Sequence, residues 1–201
     1  MFTKETLLLV LAAALCYLLY RRISRPRDDD SRAAKLMKKY KELTREKLND
    51  TDDDELVEAV VSHVLALAAE NRRPDPQKEL AFLPQPYTVV YSIWAVGKEL
   101  ARTDYKGLTH TATKALVEPA VDGLPVIGAP ATAAALAELK AAFEAKEDVT
   151  EATAAYHKAV EQECPLTLCV SYIRDHIPEL LGEEPEETPA LPETEETTDE
   201  G

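Results

Sequence analysis

Cys164, Cys169, His157 and His176 fall in one short part of a 201-residue chain, and thiols and imidazoles are the side chains that hold zinc. Their spacing argues against such a centre. Zinc-ligand pairs sit about two to four residues apart, whereas these cysteines are five apart and a fourth ligand is only loosely offered. Cys169 also lies in the apolar run LTLCVSYI, where a thiol behaves as a small hydrophobe. No metal or other cofactor is therefore expected. Nucleophilic catalysis has as little support: there is no Gly-x-Ser-x-Gly elbow, no catalytic cysteine context and no glycine-rich phosphate loop. His63 falls on the polar side of an expected core helix, His110 sits among threonines, and Glu99 and Asp104 read as solvated acids near a helix end. The expectation is a protein that is not an enzyme.

The other residue types that could make a site lie in YSIWAVGKEL, Tyr91–Leu100, which holds the single tryptophan and a glycine three residues after it. Tyr87, Val90, Tyr91, Trp94 and Lys98 follow one helical stripe, and Pro86 suits the first turn of that helix. A glycine inside a helix costs about 1 kcal/mol against alanine. A neighbouring backbone crossing closely at Gly97 would justify that cost, with the Trp94 indole as a core anchor beside it. A ligand-binding tryptophan is the alternative.

The elements around this helix all read as α. Asp52–Asp54 start a helix in which Leu56, Val57, Val60, Val61, Val64, Leu65 and Ala68 recur at helical spacing. RPDPQKELAFLPQP carries four prolines and excludes a long helix. Pro119 should kink or restart a helix, and DGLPVIGAP, 122–130, reads as a turn. An alanine-rich helix follows with Leu136, Leu139 and Phe143 inward, then one capped near Asp148–Thr150, then PLTLCVSYIRDHIPELL, bent at Pro178. YTVVYSI is rich in β-formers, but its continuation has helical spacing. The expected fold is an all-α, compact multi-helix bundle over 52–182.

Charge divides the chain. Residues 1–51 carry a net +5, residues 52–182 a net −10 and residues 183–201 a net −9. Such a body and tail repel nucleic-acid phosphate, so direct nucleic-acid binding is not expected. The last segment, with nine acids and no aromatic residue, is expected to be a disordered acidic tail.

The first residues bear on location. Thr6–Tyr20 is uncharged, and as a helix covers roughly 22 Å at about 1.5 Å per residue. A bilayer core needs about 30 Å, a gap closed by Phe2–Glu5 and Arg21–Ile23 if Lys4 and the arginines snorkel. Ala12–Ala14 superficially offers a signal-cleavage site, but the apolar run continues past it, and Leu15 before Cys16 does not suit a lipoprotein site. The expectation is an uncleaved single-pass transmembrane helix within residues 1–24. Arg21, Arg22, Arg25 and Arg27 on its C-terminal side place the body in the cytoplasm, in keeping with free thiols. Over 25–51 a linker leads into one basic amphipathic helix, Arg32–Leu48. Leu36, Met37, Tyr40 and Leu43 form its apolar stripe; Lys35, Lys38 and Lys39 are candidates to meet an anionic leaflet, with a solvated spacer helix as the alternative.

Three stretches resemble the C-terminal domain family of bacterial DNA-mimic proteins: YSIWAVGKEL with its closing Glu99 and Leu100, AVDGLPVIGAPAT with Ile127, Gly128 and Ala129, and VSYIRDHIPEL with Tyr172, Ile173 and Arg174. The resemblance spans about residues 80–181. The family usually has Asn-Gly-Gly and an aromatic after the acidic pair; here RTDYKGL stands in that place, leaving Asp104, Tyr105 and Gly107 as echoes. The resemblance implies an all-helical fold, and marks Trp94, Glu99, Asp104, Tyr105, Tyr172 and Arg174 as candidate interaction or packing residues. One member of the family resembles DNA in surface charge and occupies a transcription factor's DNA-binding face. The main functional expectation is a membrane-tethered cytoplasmic helical domain that binds another protein. DNA mimicry against a basic nucleic-acid-binding protein is the second, and an enzyme with an unrecognised site the third.

Overall fold

The computed structural model describes residues 28–73 and 75–183. The expected transmembrane segment, Arg21, Arg22, Arg25, Arg27 and the acidic tail beyond Glu183 lie outside these. Among the described residues no helix is long and apolar enough to cross a membrane.

The described chain is all-helical. Its helices are α1 (Asp28–Lys39), α2 (Arg45–Asp50), α3 (Asp53–Glu70), α4 (Gln77–Leu80), α5 (Gln85–Arg102) and α6 (Tyr105–Thr109). A 3₁₀ segment (Ala112–Leu116) leads into α7 (Val117–Val126), α8 (Pro130–Glu144), α9 (Thr150–Glu163), α10 (Pro165–Asp175) and α11 (Ile177–Leu180).

The bundle is organised around α5, which packs on α3, α7, α10 and α11. Such a position requires apolar residues nearly all the way round, and Tyr87, Val89, Val90, Tyr91, Ile93, Ala95, Val96 and Leu100 are all buried. The β-formers of YTVVYSI are thus core residues of a helix, where tertiary burial overrides their strand preference. The Tyr87 hydroxyl donates to the Leu180 carbonyl at 2.9 Å, tying α11 to the start of α5.

Two local readings of the sequence are corrected. The stretch expected as one helix over Arg32–Leu48 forms two, separated at Tyr40–Thr44, where Thr44 caps α2 by accepting the Lys47 N–H. Leu48 is fully buried in the common core, so α2 packs with the body. Residues 122–130 are mostly helix rather than turn, because α7 runs through Pro125 to Val126. Gly128, with φ +89°, ends it in a Schellman motif. Its N–H bonds to the Pro125 carbonyl at 3.0 Å, and the Ala129 N–H bonds to the Leu124 carbonyl at 2.8 Å.

α1 lies on α3 by charge. Arg32 meets Glu58 at 2.5 Å and Lys39 pairs with Glu55, while Lys41, just beyond the end of α1, meets Glu70 at 3.2 Å. The Glu55 carboxylate and then the Tyr40 hydroxyl hold the Lys39 ammonium above its usual range. Leu36 and Met37 are half-buried beneath this helix, while Lys35 and Lys38 are exposed.

Candidate functional site

The face of α5 that the bundle leaves open is the line Trp94, Gly97, Lys98 and Ala101. These positions, i, i+3, i+4 and i+7, share one side of a helix. Trp94 and Gly97 are half-buried and Lys98 and Ala101 exposed, whereas nearly every other position from Pro86 to Leu100 is buried. Beneath this line lies a cavity of about 400 Å³, walled by Ile93, Ala120, Leu124, Leu136, Tyr156 and Val160.

The cavity has a clear structural origin. α9 packs along α8 but stands off from α5, so the space between them is unfilled. The close crossing expected at Gly97 lies elsewhere. A Cβ placed on Gly97 would meet nothing within 4 Å, whereas one on Gly123 of α7 would meet Val89 Cγ1 at 3.3 Å and the Val89 Cα at 3.5 Å. The helix-packing glycine is therefore Gly123, and Gly97 instead widens the cavity mouth. Trp94 is correspondingly not a buried anchor but a half-exposed roof, with the Lys98 ammonium 4.6 Å from its ring centroid.

Two further recesses share Trp94 and Glu58 with the cavity. One, of about 410 Å³, runs between α3 and α10 past Asp53, Asp54, Val57, Leu166 and Val170. The other, of about 130 Å³, reaches Arg32, Ala33 and Leu36 of α1. Leu166 is half-exposed at the first turn of α10. The result is a continuous apolar groove with carboxylates along one edge, of the size that small molecules or inserted side chains fill.

The polar groups at the cavity are Glu58, Lys98, Thr132, Tyr156 and His157. Burial pushes the Tyr156 phenol up to about 12, so it stays neutral, and Glu58 is held by Arg32. The Cys169 thiol is fully buried and pushed up to about 12 by that burial, while Cys164 is exposed. Among the described residues no group of three or more His, Cys, Asp or Glu comes together as a metal site requires. His63 is a satisfied histidine: its Nδ1 lies 3.1 Å from the Tyr40 carbonyl and 2.9 Å from that of Lys41.

The residues singled out with Trp94 do not gather around it. Glu99 accepts from Arg102 at 2.6 Å at the far end of α5. Asp104 caps α6, accepting the Gly107 N–H at 2.7 Å, and Tyr105 is buried with its ring 5.2 Å from Phe143. Tyr172 is buried against His176, their rings 4.0 Å apart. Arg174 donates to the carbonyls of Leu48 at 2.5 Å and Thr51 at 2.6 Å and to Asp53 Oδ1 at 2.8 Å. It thereby satisfies the last carbonyls of α2, which no intrahelical N–H can reach. Each of the five has a contact within the fold.

Leu166, Glu58 and Val160 were not singled out by the sequence. Leu166 left a signal: the buried stripe of α10 is Pro165, Cys169, Tyr172 and Ile173, and Leu166 is an apolar residue off that stripe. The chain matches no protein-family model, no curated protein and no solved structure, so the geometry of the groove carries the functional reading.

Proposed function

We propose that this protein is a membrane-tethered interaction domain. Residues 1–24 anchor it, the body lies in the cytoplasm, and the groove under Trp94 receives the apolar side of a partner protein. The observation that carries this is the open stripe Trp94, Gly97, Lys98 and Ala101 on an otherwise enclosed helix, over a cavity of about 400 Å³. Apolar surface left uncovered in a folded domain with a well-formed core is a mark of recognition. The Tyr156 phenol, which burial keeps neutral, and the engagement of Glu58 by Arg32 favour binding over catalysis. Tethering raises the local concentration of the domain at the membrane, and exposed Lys35 and Lys38 suit an anionic surface close to the anchor.

A photo-crosslinking residue in place of Leu166, in the full chain in its own cells, tests the reading. The expected result is a discrete protein adduct in the membrane fraction that disappears when Gly97→Leu fills the groove. A chain clipped after Ala14 and found outside the cell would overturn the tethering half. An adduct indifferent to Gly97→Leu would overturn the groove. The resemblance to DNA mimics supports a second reading, binding to a basic nucleic-acid-binding protein through the acidic body. That binding would collapse with salt and persist in Gly97→Leu.

A further inference from the structure

Resting on the proposed groove, we infer that its occupant is a basic amphipathic helix, which inserts a large apolar side chain over Gly97 and turns its cationic face to the carboxylates of α3. The molecule already contains one instance of this recognition. α1 carries Arg32, Lys35, Lys38 and Lys39 after its acidic first turn, and it lies on α3 through Arg32–Glu58 and Lys39–Glu55 with Leu36 and Met37 beneath, while Lys41 just past its end meets Glu70. On the opposite flank of α3 the same kind of surface is open. The recess toward α10 offers Val57, Trp94, Leu166 and Val170 as its apolar bed and Asp53, Asp54 and Glu58 as its charged edge.

That edge carries three carboxylates, two of them already answered. Arg174 answers Asp53 and Arg32 answers Glu58, while Asp54 is exposed and has no ion pair among the described residues. Lys98 lines the neighbouring cavity, where it sits over the Trp94 ring. The recess is lined by positions 53–58 of α3 and 166–171 of α10, about one and a half helical turns on each side, and helix-in-groove recognition places apolar residues at i, i+3, i+4 and i+7 of the incoming helix. The wide mouth left by Gly97 accepts a leucine or an aromatic ring, which the 400 Å³ beneath can hold. An acidic helix would set its charges against Asp53, Asp54 and Glu58; an uncharged one would leave Asp54 unanswered.

Trp94 is the only tryptophan of the chain and reports on its own groove. The full chain in nanodiscs of neutral phosphatidylcholine is titrated with three tryptophan-free 18-residue peptides that share one leucine face and carry Lys, Gln or Glu on the other. The expected result is a saturable blue shift of Trp94 emission with the Lys peptide, about three-fold tighter than with the Gln peptide, as one new exposed ion pair at Asp54 would give. Asp54→Asn should weaken it several-fold and Gly97→Leu abolish it, both with unchanged circular dichroism. Equal binding of the Glu and Lys peptides would overturn the cationic partner while leaving the groove as a helix site. A shift with decanoate alone and with no peptide would overturn both, marking a small-molecule pocket. A shift with no peptide, after deletion of residues 1–24 only, would overturn the inference in favour of that segment as occupant.

Discussion

Two glycines beside α5 mark two regions of the molecule with opposite packing. Gly123 stands where α7 crosses α5, and its missing side chain admits Val89 to within 3.5 Å of where a Cβ would be. Gly97 stands on α5 itself, with nothing near it. One glycine closes the core and the other holds it open. Glycine in a helix is therefore a poor witness by itself: it marks either a close approach or a space, and only the neighbouring element decides which.

The largest effect should come from reversing the closed region. Gly123→Leu forces a side chain into Val89 and Ile93 and should cost about 3 kcal/mol in urea unfolding, as overpacking does. The same change at Gly97 should leave stability intact while blocking the groove. Equal losses at the two positions would erase the distinction between the regions. Arg174→Ala should cost about 2 kcal/mol, the worth of charge-assisted bonds to the end of α2, with Arg174→Lys recovering only part because one ammonium cannot reach three acceptors.

The wall of the open region can be loosened separately. Glu163 at the end of α9 accepts from Ala131 N at 3.0 Å and from Thr132 N and Oγ at 2.7 Å, capping α8. Burial pushes its carboxyl upward, but the bonds from Thr132 and Ala131 outweigh that and hold it below the usual range. Glu163→Ala should cost about 1 kcal/mol and weaken binding at the groove by freeing α9. Gly97→Ala should raise stability by up to about 1 kcal/mol through helix propensity alone. The smallest effect concerns pH. Burial holds His63 below the ordinary 6.5 in the folded chain, so the unfolded chain takes up its proton first. This part of the stability is present above 6.5 and is lost as pH falls through 6.5 toward the folded value. His63→Gln should flatten a melting-temperature profile in that window.

Much of the helix order was legible because its signals are local. The stripe Leu56, Val57, Val60, Val61 and Val64 is buried as its spacing requires, Pro178 ends α10 near His176, and Asp148 accepts from the Thr150 N–H and hydroxyl at the start of α9. The break at Tyr40–Thr44 was not legible, since Lys41, Glu42 and Leu43 are ordinary helix formers. Contacts made elsewhere select that break: the buried Tyr40 hydroxyl reaches Thr51 at 3.2 Å and donates to Glu55, and His63 holds the carbonyls of Tyr40 and Lys41. The site was half legible. Trp94 and Gly97 were recognised as a unit, but the groove depends on α9 standing off from α5, sixty residues away in the chain, and no spacing within YSIWAVGKEL contains that distance.

What the sequence determined by itself is the all-helical body, its capped and proline-marked boundaries, and the division between a basic start and an acidic remainder. These follow from backbone sterics and from side-chain periodicity within a few residues. The tertiary structure alone decided which glycine closes a crossing, that Arg174 serves α2 rather than the surface, and that Trp94 roofs a cavity. Those outcomes depend on where helices distant in the chain come to rest, and packing complementarity is a property of two surfaces together.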